Sequence, residues 1–193
     1  MKSVCVYCGS SAGRDPAYAG AARALGKELV ARGLGLVYGG SSVGIMKVVA
    51  DTVLALGGRV TGVIPESLVR KEIAHRGLSE LHVTGSMHER KMLMAELSDA
   101  FVALPGGIGT LEELFEAWTW AQLGLHAKPC GLLNVAGYFD GLIAFLDHTV
   151  REGFVKEASR AMLIVSDDPA DLLDRFAGYH APTVEKWIRK GDA

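Results

Sequence analysis

Cysteine is scarce in this chain, with three among 193 residues. An odd number, two of them close together near the start, is not the disulfide framework of a secreted domain. Cys5, Cys8 and Cys130 are therefore expected to be free, buried thiols. Cys5-x-x-Cys8 has the spacing of a redox pair, but such pairs open a helix, whereas this one lies in and just after a strand-like run. Excess charge of one sign is also missing. The formal net charge is −2, with 22% charged and 49% hydrophobic residues, so no basic or acidic surface for nucleic acid or membrane is expected. Every apolar run is broken by glycine, proline or charge well before the roughly 20 residues that a membrane helix needs. Met1-Lys2 leads directly into a strand-like run, and a cytoplasmic location is expected.

Several chemical signatures are absent as well. The turn after the first strand lacks G-x-G-x-x-G, and Ile45 stands where a P-loop would place lysine after Gly44. Dinucleotide binding and ATP hydrolysis are thereby disfavoured. The six histidines, at 75, 82, 88, 126, 148 and 180, show no H-E-x-x-H or other metal spacing, so no metal site is expected. No lysine stands out as a Schiff-base candidate, which argues against pyridoxal phosphate chemistry.

What the chain does have is alternation. Strand-like runs at 3–7, 35–38, 59–64, 81–84, 100–104, 130–134 and 162–165 are separated by helical patterns at 16–32, 43–56, 87–97, 110–123 and 138–152, with a last helix at 169–176. Pro65 is expected to stop the third strand. This order predicts an α/β fold, a doubly wound parallel sheet in a single domain spanning residues 1–193. Residues 66–79 form the longest irregular stretch and are expected to be an active-site loop. The tail from Tyr179 to Ala193 is expected to add a short helix whose Trp187 and Ile188 need a surface to pack on, one that a partner subunit could supply. In such sheets ligands sit outside the carboxyl ends of the strands. Three turns should meet there: Cys8-Gly9-Ser10-Ser11, Gly39-Gly40-Ser41-Ser42-Val43-Gly44, and the one beginning at Pro105.

The richest of these is Pro105-Gly106-Gly107-Ile108-Gly109-Thr110-Leu111-Glu112-Glu113, which follows a buried-strand run and opens a helix. Glycine lets backbone N–H groups turn onto one concavity, and the helix adds unpaired donors and the positive end of its dipole. A single phosphate is the natural guest. Glu113 has two readings. Thr110-x-x-Glu113 matches a capping box, and a carboxylate beside a bound phosphate ester also suits chemistry on its organic part. Met87-His88-Glu89-Arg90-Lys91 opens another helix. Leu93, Met94 and Leu97 lie three, four and seven residues beyond Arg90, which puts Arg90 on the inward face. It either pairs structurally with Glu112, Glu113 or Glu116, or meets an anion in the phosphate cleft. Trp118 and Trp120 are expected to pack in the core or on a subunit, with base stacking the lesser alternative.

With these residues in place the chain resembles the LONELY GUY family of cytokinin riboside 5′-monophosphate phosphoribohydrolases, some bacterial members of which were labelled lysine decarboxylases. The residues from Pro105 to Glu113 match the family's P-G-G-x-G-T-x-x-E, and those from Met87 to Lys91 match its M-H-x-R-K. Gly9-Ser10-Ser11 and Val37-Tyr38-Gly39-Gly40 match two earlier turns, so the resemblance covers nearly the whole chain. It implies a Rossmann-like homodimer that hydrolyses the N-glycosidic bond of adenosine-type nucleoside 5′-monophosphates, AMP or N6-modified cytokinin forms, without metal or organic cofactor. By position it implies Arg90 and Glu113 as the catalytic pair. Gly107, Ile108, Gly109 and Thr110 would cradle phosphate, with Leu111, Glu112, Lys91, Glu72 and Thr119 as further substrate contacts. Gly9, Ser10, Gly39, Gly40 and Ser41 would form ribose or phosphate turns. Ser41 and Lys47 depart from the family's G-G-G-S-x-G-x-M-G, which bears on those contacts. Ile108, Trp118 and the loop around Glu72 are the candidate determinants of base preference. A non-catalytic carrier of a nucleotide or phosphorylated cofactor would use the same cleft and is the alternative reading.

Overall fold

The computed structural model describes residues 1–69 and 74–182. Seven parallel strands form one sheet in the order β4-β3-β2-β1-β5-β6-β7. They are β1 (Ser3–Tyr7), β2 (Gly35–Tyr38), β3 (Val60–Pro65), β4 (Glu80–Thr84), β5 (Ala100–Ala103), β6 (Cys130–Leu133) and β7 (Leu163–Ser166). The winding direction reverses between β1 and β5, each of which pairs with the other in parallel, Val4 opposite Ala100 and Tyr7 opposite Ala103. The expected doubly wound α/β architecture is the one observed. Among the described residues no helix is long and apolar enough to cross a membrane.

Successive strand residues face opposite sides, and two cores result. Val4, Val6 and Cys8 pack with α1 (Pro16–Ala31), α2 (Gly44–Ala55) and α8 (Pro169–Ala177). Cys5 and Tyr7 pack on the other face with α4 (Met87–Glu96), α5 (Ile108–Gln122) and α6 (Asp140–Arg151). Cys5 and Cys8 thus lie on opposite faces of the sheet, and all three cysteines are free and buried. Burial and the negative charge of Glu113 push the Cys5 and Cys8 thiols well above their ordinary range. Neither placement nor ionisation suits a redox pair.

Local chemistry explains the element ends. Asp15 caps α1 by accepting from the Ala17 N–H at 2.8 Å, with Pro16 at the first helical position, and Asp168 and Pro169 repeat the device in α8 at 2.7 Å. β3 stops at Pro65, as expected, but includes it. The proline lies opposite Thr84, where a missing N–H is tolerated at a strand end. The helix expected at 138–152 begins instead at Asp140, because a 3-10 turn at Val135–Gly137 carries Ala136 at φ 50° and Gly137 at φ 70°. The irregular stretch after β3 begins with a short helix, α3 (Glu66–Val69), and Ala74 bridges to Ser41. A further short helix, α7 (Glu157–Ala161), precedes β7. Residues 70–73, with Glu72, and the tail 183–193, with Trp187 and Ile188, lie outside the described residues.

The three turns meet at the switch point through backbone alone. The Gly9 N–H donates to the Pro105 carbonyl at 3.2 Å, while the Gly9 carbonyl accepts from Ile45 and Met46 at 3.0 and 3.4 Å. The first N–H groups of α2 are thereby satisfied by another turn rather than by a side-chain cap. Gly44 makes this approach possible. It sits at φ 57°, and a Cβ there would overlap the backbone of Ser10 and Ser11.

Gly44→Ala is expected to destabilise the protein by at least about 2 kcal/mol, the left-handed backbone and the backbone clash acting together. Gly20→Ala on exposed α1, where a Cβ meets nothing within 4 Å, should instead add about 0.5–1 kcal/mol. Urea unfolding of both variants checks the pair.

Candidate active site

Arg90 is placed by the start of α4. Ser86 caps that helix, accepting from the Glu89 N–H at 3.1 Å, and Glu89 reaches back to the Gly85 N–H at 2.8 Å. The capping box of this region is therefore Ser86-x-x-Glu89. The box expected at Thr110 and Glu113 is not formed: α5 starts at Ile108 with Gly107 as N-cap, so Thr110 already lies inside the helix. Its buried hydroxyl sits where a Cβ on Gly106 would be. Glu113 is left free for another partner.

That partner is Arg90. The guanidinium donates from Nη1 to Glu113 Oε1 at 2.5 Å and from Nε to the Val63 carbonyl at the end of β3 at 3.0 Å. Its Nη2 lies where a Cβ on Gly39 would have to be, so the second turn needs glycine for this approach. Both side chains are nearly buried, at 9% and 10% exposure. Burial raises the Glu113 carboxyl above its ordinary value of 4.5, and the positive charge and hydrogen bond of Arg90 oppose that rise without cancelling it. A structural ion pair and a site residue are thus the same object here.

The pair lines a cleft of about 330 Å³ together with Cys8, Gly9, Ser10, Met46, Leu68, Met87, Gly107, Ile108, Gly109, Thr110 and Glu112. This is at the lower end of small-ligand sites, ~300–1,000 Å³. One wall is the N-terminus of α5, which has no side-chain cap. Its first residues, Gly107 to Thr110, line the cleft, and the unpaired donors and positive dipole end of such a helix start suit an anion.

Not every expected contact converges on this cleft. Lys91, one residue on from Arg90, is turned about 100° around α4. Its ammonium is held by Glu112 at 2.5 Å and Glu116 at 2.9 Å. Burial alone would lower its pKa, but the bonds to these carboxylates raise it on balance. Leu111 points into the α5-side core. Thr119 is exposed, about 9 Å along the axis of α5 from Glu113. Trp118 is buried, donating from Nε1 to the Ser159 carbonyl at 2.9 Å, which is the core role. Gly40 and Ser41 do not line the cleft, and the fully buried Ser41 hydroxyl has no hydrogen-bond partner among the described residues. Lys47 pairs with Asp51 along α2. Met46, Leu68 and Met87 line the cleft without having been singled out. The signal for two of them was adjacency to a motif, Met46 two residues after Gly44 and Met87 opening the Arg90 helix. Among the described residues no group of three or more His, Cys, Asp or Glu is arranged to hold a metal ion.

Comparison with known proteins bears on this cleft. The family model described as "Possible lysine decarboxylase" matches residues 46–176. The cytokinin riboside 5′-monophosphate phosphoribohydrolase LOG of Oryza sativa subsp. japonica is 49% identical over 179 residues, 93% of this chain and 74% of that protein. The phosphoribohydrolase of the same name, LOG1, from Arabidopsis thaliana is 48% identical over 190 residues, 98% of this chain and 89% of its own. Among solved structures, the molybdenum cofactor binding protein from Rippkaea orientalis has a TM-score of 0.69 at 22% identity, covering 92% of this chain and 97% of that one. At that identity the likeness shows the fold alone.

Arg90→Ala would strand the Glu113 carboxylate in a buried setting, and a loss of about 3–5 kcal/mol of stability is expected at neutral pH. The sign of its pH dependence follows from the raised carboxyl. The folded protein holds this proton more tightly than the unfolded chain, so the group favours folding most below 4.5 and loses that advantage as pH rises through the folded value. Without Arg90 the folded value rises further. The deficit against wild type should therefore shrink as pH falls from 8 to 5, measured by urea unfolding; a pH-independent deficit would mean that Glu113 is not the charged partner.

Proposed function

The chain belongs to the family of the matched model and of its phosphoribohydrolase relatives, and on that premise we propose that it hydrolyses the N-glycosidic bond of adenosine-type nucleoside 5′-monophosphates. The products are the free base and ribose 5-phosphate, and the biological output is an active cytokinin base from its riboside monophosphate. AMP is proposed as a second substrate. The observation that carries this reading is the buried Arg90–Glu113 pair facing an uncapped helix N-terminus across one cleft.

Breaking this bond builds positive charge on the ribose ring and negative charge on the departing base. Glu113 supplies the carboxylate that stabilises the cationic sugar or orients the attacking water. Arg90 fixes that carboxylate through Nη1 and favours its ionised form against burial. The start of α5 holds the 5′-phosphate, so that binding energy from a group that does not react fixes the carbon that does. A Cβ on Gly107 or Gly109 would meet nothing within 4 Å, which leaves that face of the turn open to a ligand. Gly9 and Ser10, beside the Pro105–Gly107 turn, and Glu112 also line the cleft, the first two as ribose or phosphate contacts. Ile108, 87% exposed, Met46, Leu68 and Met87 are the proposed apolar contacts of the base. Water is the only co-reactant, and no metal or organic cofactor takes part.

Lysine decarboxylation is a poor fit on chemical grounds. A Schiff-base lysine needs a lowered pKa in an accessible pocket, whereas among the described residues no lysine lines the cleft and Lys91, beside it, is held by two carboxylates that raise its pKa. We also propose a homodimer, supported by exposed apolar side chains on and beside α4 and α5 at Met92, Ile108, Leu123 and Leu125. A cytoplasmic setting suits three free cysteines.

Purified protein incubated with AMP or isopentenyladenosine 5′-monophosphate should release free base, followed by chromatography. Glu113→Gln should lower kcat by about 10²–10³-fold, the usual cost of one preorganised electrostatic partner, while the folded protein still binds nucleotide. Nucleotide bound tightly and recovered intact from wild type would favour a carrier instead.

A further inference from the structure

Tyr138 stands on the other side of the Gly9–Gly106 wall from the Arg90–Glu113 cleft. It borders a separate cavity of about 280 Å³ formed by residues 9–13, Tyr18 and 105–107, which shares only Gly9, Ser10 and Gly107 with that cleft. From there its hydroxyl donates to the Gly106 carbonyl at 2.6 Å. The turn that delivers it is costly. Ala136 occupies the left-handed region at φ 50° with Gly137 following at φ 70°, a strain of the kind kept where geometry matters. Asn134 staples the turn, donating to Asp140 Oδ1 and accepting from the Phe139 N–H, both at 2.7 Å. The ring is also held edge-on by Tyr18, at 5.4 Å between centroids, and by Phe139, at 4.9 Å.

The bond matters because of the peptide unit it grips. In a trans peptide the carbonyl of one residue and the N–H of the next point in opposite directions, and the chain has no cis peptide bonds among the described residues. A Gly106 carbonyl held on the Tyr138 side therefore turns the Gly107 N–H toward the opposite side, where the Arg90–Glu113 cleft lies. Among the described residues that N–H makes no hydrogen bond. Glycine on both sides of this peptide leaves its two orientations sterically close in energy. The reversed orientation would put a carbonyl oxygen where an anion binds.

We propose that Tyr138 is a positioning residue: its hydroxyl holds the Gly106 carbonyl out of the cleft and so aims the Gly107 N–H at the 5′-phosphate. This rests on the reading that the start of α5 binds that phosphate. The role is one of affinity for the phosphate rather than of bond cleavage, and it separates Tyr138 from Tyr18. The two share one cavity, but only Tyr138 reaches Gly106.

The test compares wild type, Tyr138→Phe and Tyr18→Phe in the full chain. Both variants keep their rings and lose only a hydroxyl. Ribose 5-phosphate binding is measured by calorimetry, and AMP turnover is followed in parallel. Tyr138→Phe should weaken ribose 5-phosphate binding by about tenfold, the worth of one hydrogen bond to a charged group, and raise KM for AMP similarly with kcat within about twofold of wild type. Tyr18→Phe should leave both unchanged. Unaltered ribose 5-phosphate affinity in Tyr138→Phe, equal losses in the two variants, or a fall confined to kcat would each overturn the proposal. Because binding is read directly, a wild type that binds ribose 5-phosphate but leaves AMP intact would refute the hydrolase reading while the Tyr138 comparison still stands. A wild type that does not bind ribose 5-phosphate would refute both the phosphate cradle and the role of Tyr138.

Discussion

The carboxyl edge of this sheet is organised around one buried guanidinium. Arg90 joins α4 to β3 through the Val63 carbonyl, to α5 through Glu113, and to the turn after β2 by close approach to Gly39. Removing such a charge from water is expensive, and the expense is offset by the carboxylate at Nη1 and the carbonyl at Nε. An ammonium on a flexible stem would satisfy one of these contacts and leave the others to drift. The pair is close to neutral overall, so it contributes orientation more than attraction. Attraction for an anion is left to the uncapped start of α5.

The same division explains what could be read from the chain and what could not. Strands such as Ser3–Tyr7 and Gly35–Tyr38 were legible to the residue, because a short apolar run between turn residues has few other uses. Arg90 could be assigned inward from the spacing of Leu93, Met94 and Leu97. The state of Glu113 was left open between a cap and a pair with Arg90. The local pattern offered a capping box, and the competing partner lies 23 residues earlier in sequence, a contact that no window around Thr110 contains. The box actually formed, at Ser86 and Glu89, was written in the same vocabulary and was overlooked beside a richer motif. Helical phase separated the remaining contacts. Lys91 and Leu111 sit one step around their helices from the cleft, and Thr119 lies too far along its own. The start of α6 was displaced by Ala136, since nothing in an alanine announces a left-handed backbone.

The two faces of the sheet also carry different duties. On the face of α1, α2 and α8 an apolar cluster forms, with Val4, Val6, Leu25, Leu29 and Val49 fully buried or nearly so. The other face adds Glu113, Arg90 and Lys91 at its upper margin, where α4 and α5 meet. At this margin the strands end and supply backbone partners, as the Val63 carbonyl of β3 does for Arg90. This is the arrangement in which buried charge is least disruptive to the sheet below it.

The Gly9 peptide, bonded to the Pro105 turn through its N–H and to the start of α2 through its carbonyl, has a consequence for how such a protein diversifies. The walls that meet at the switch point are main chain, and main chain does not mutate. Substitution can reshape this cleft only through side chains, of which Met46, Leu68, Met87 and Ile108 are apolar. Exchanging these apolar side chains would alter the shape of the cleft while leaving its main-chain frame in place.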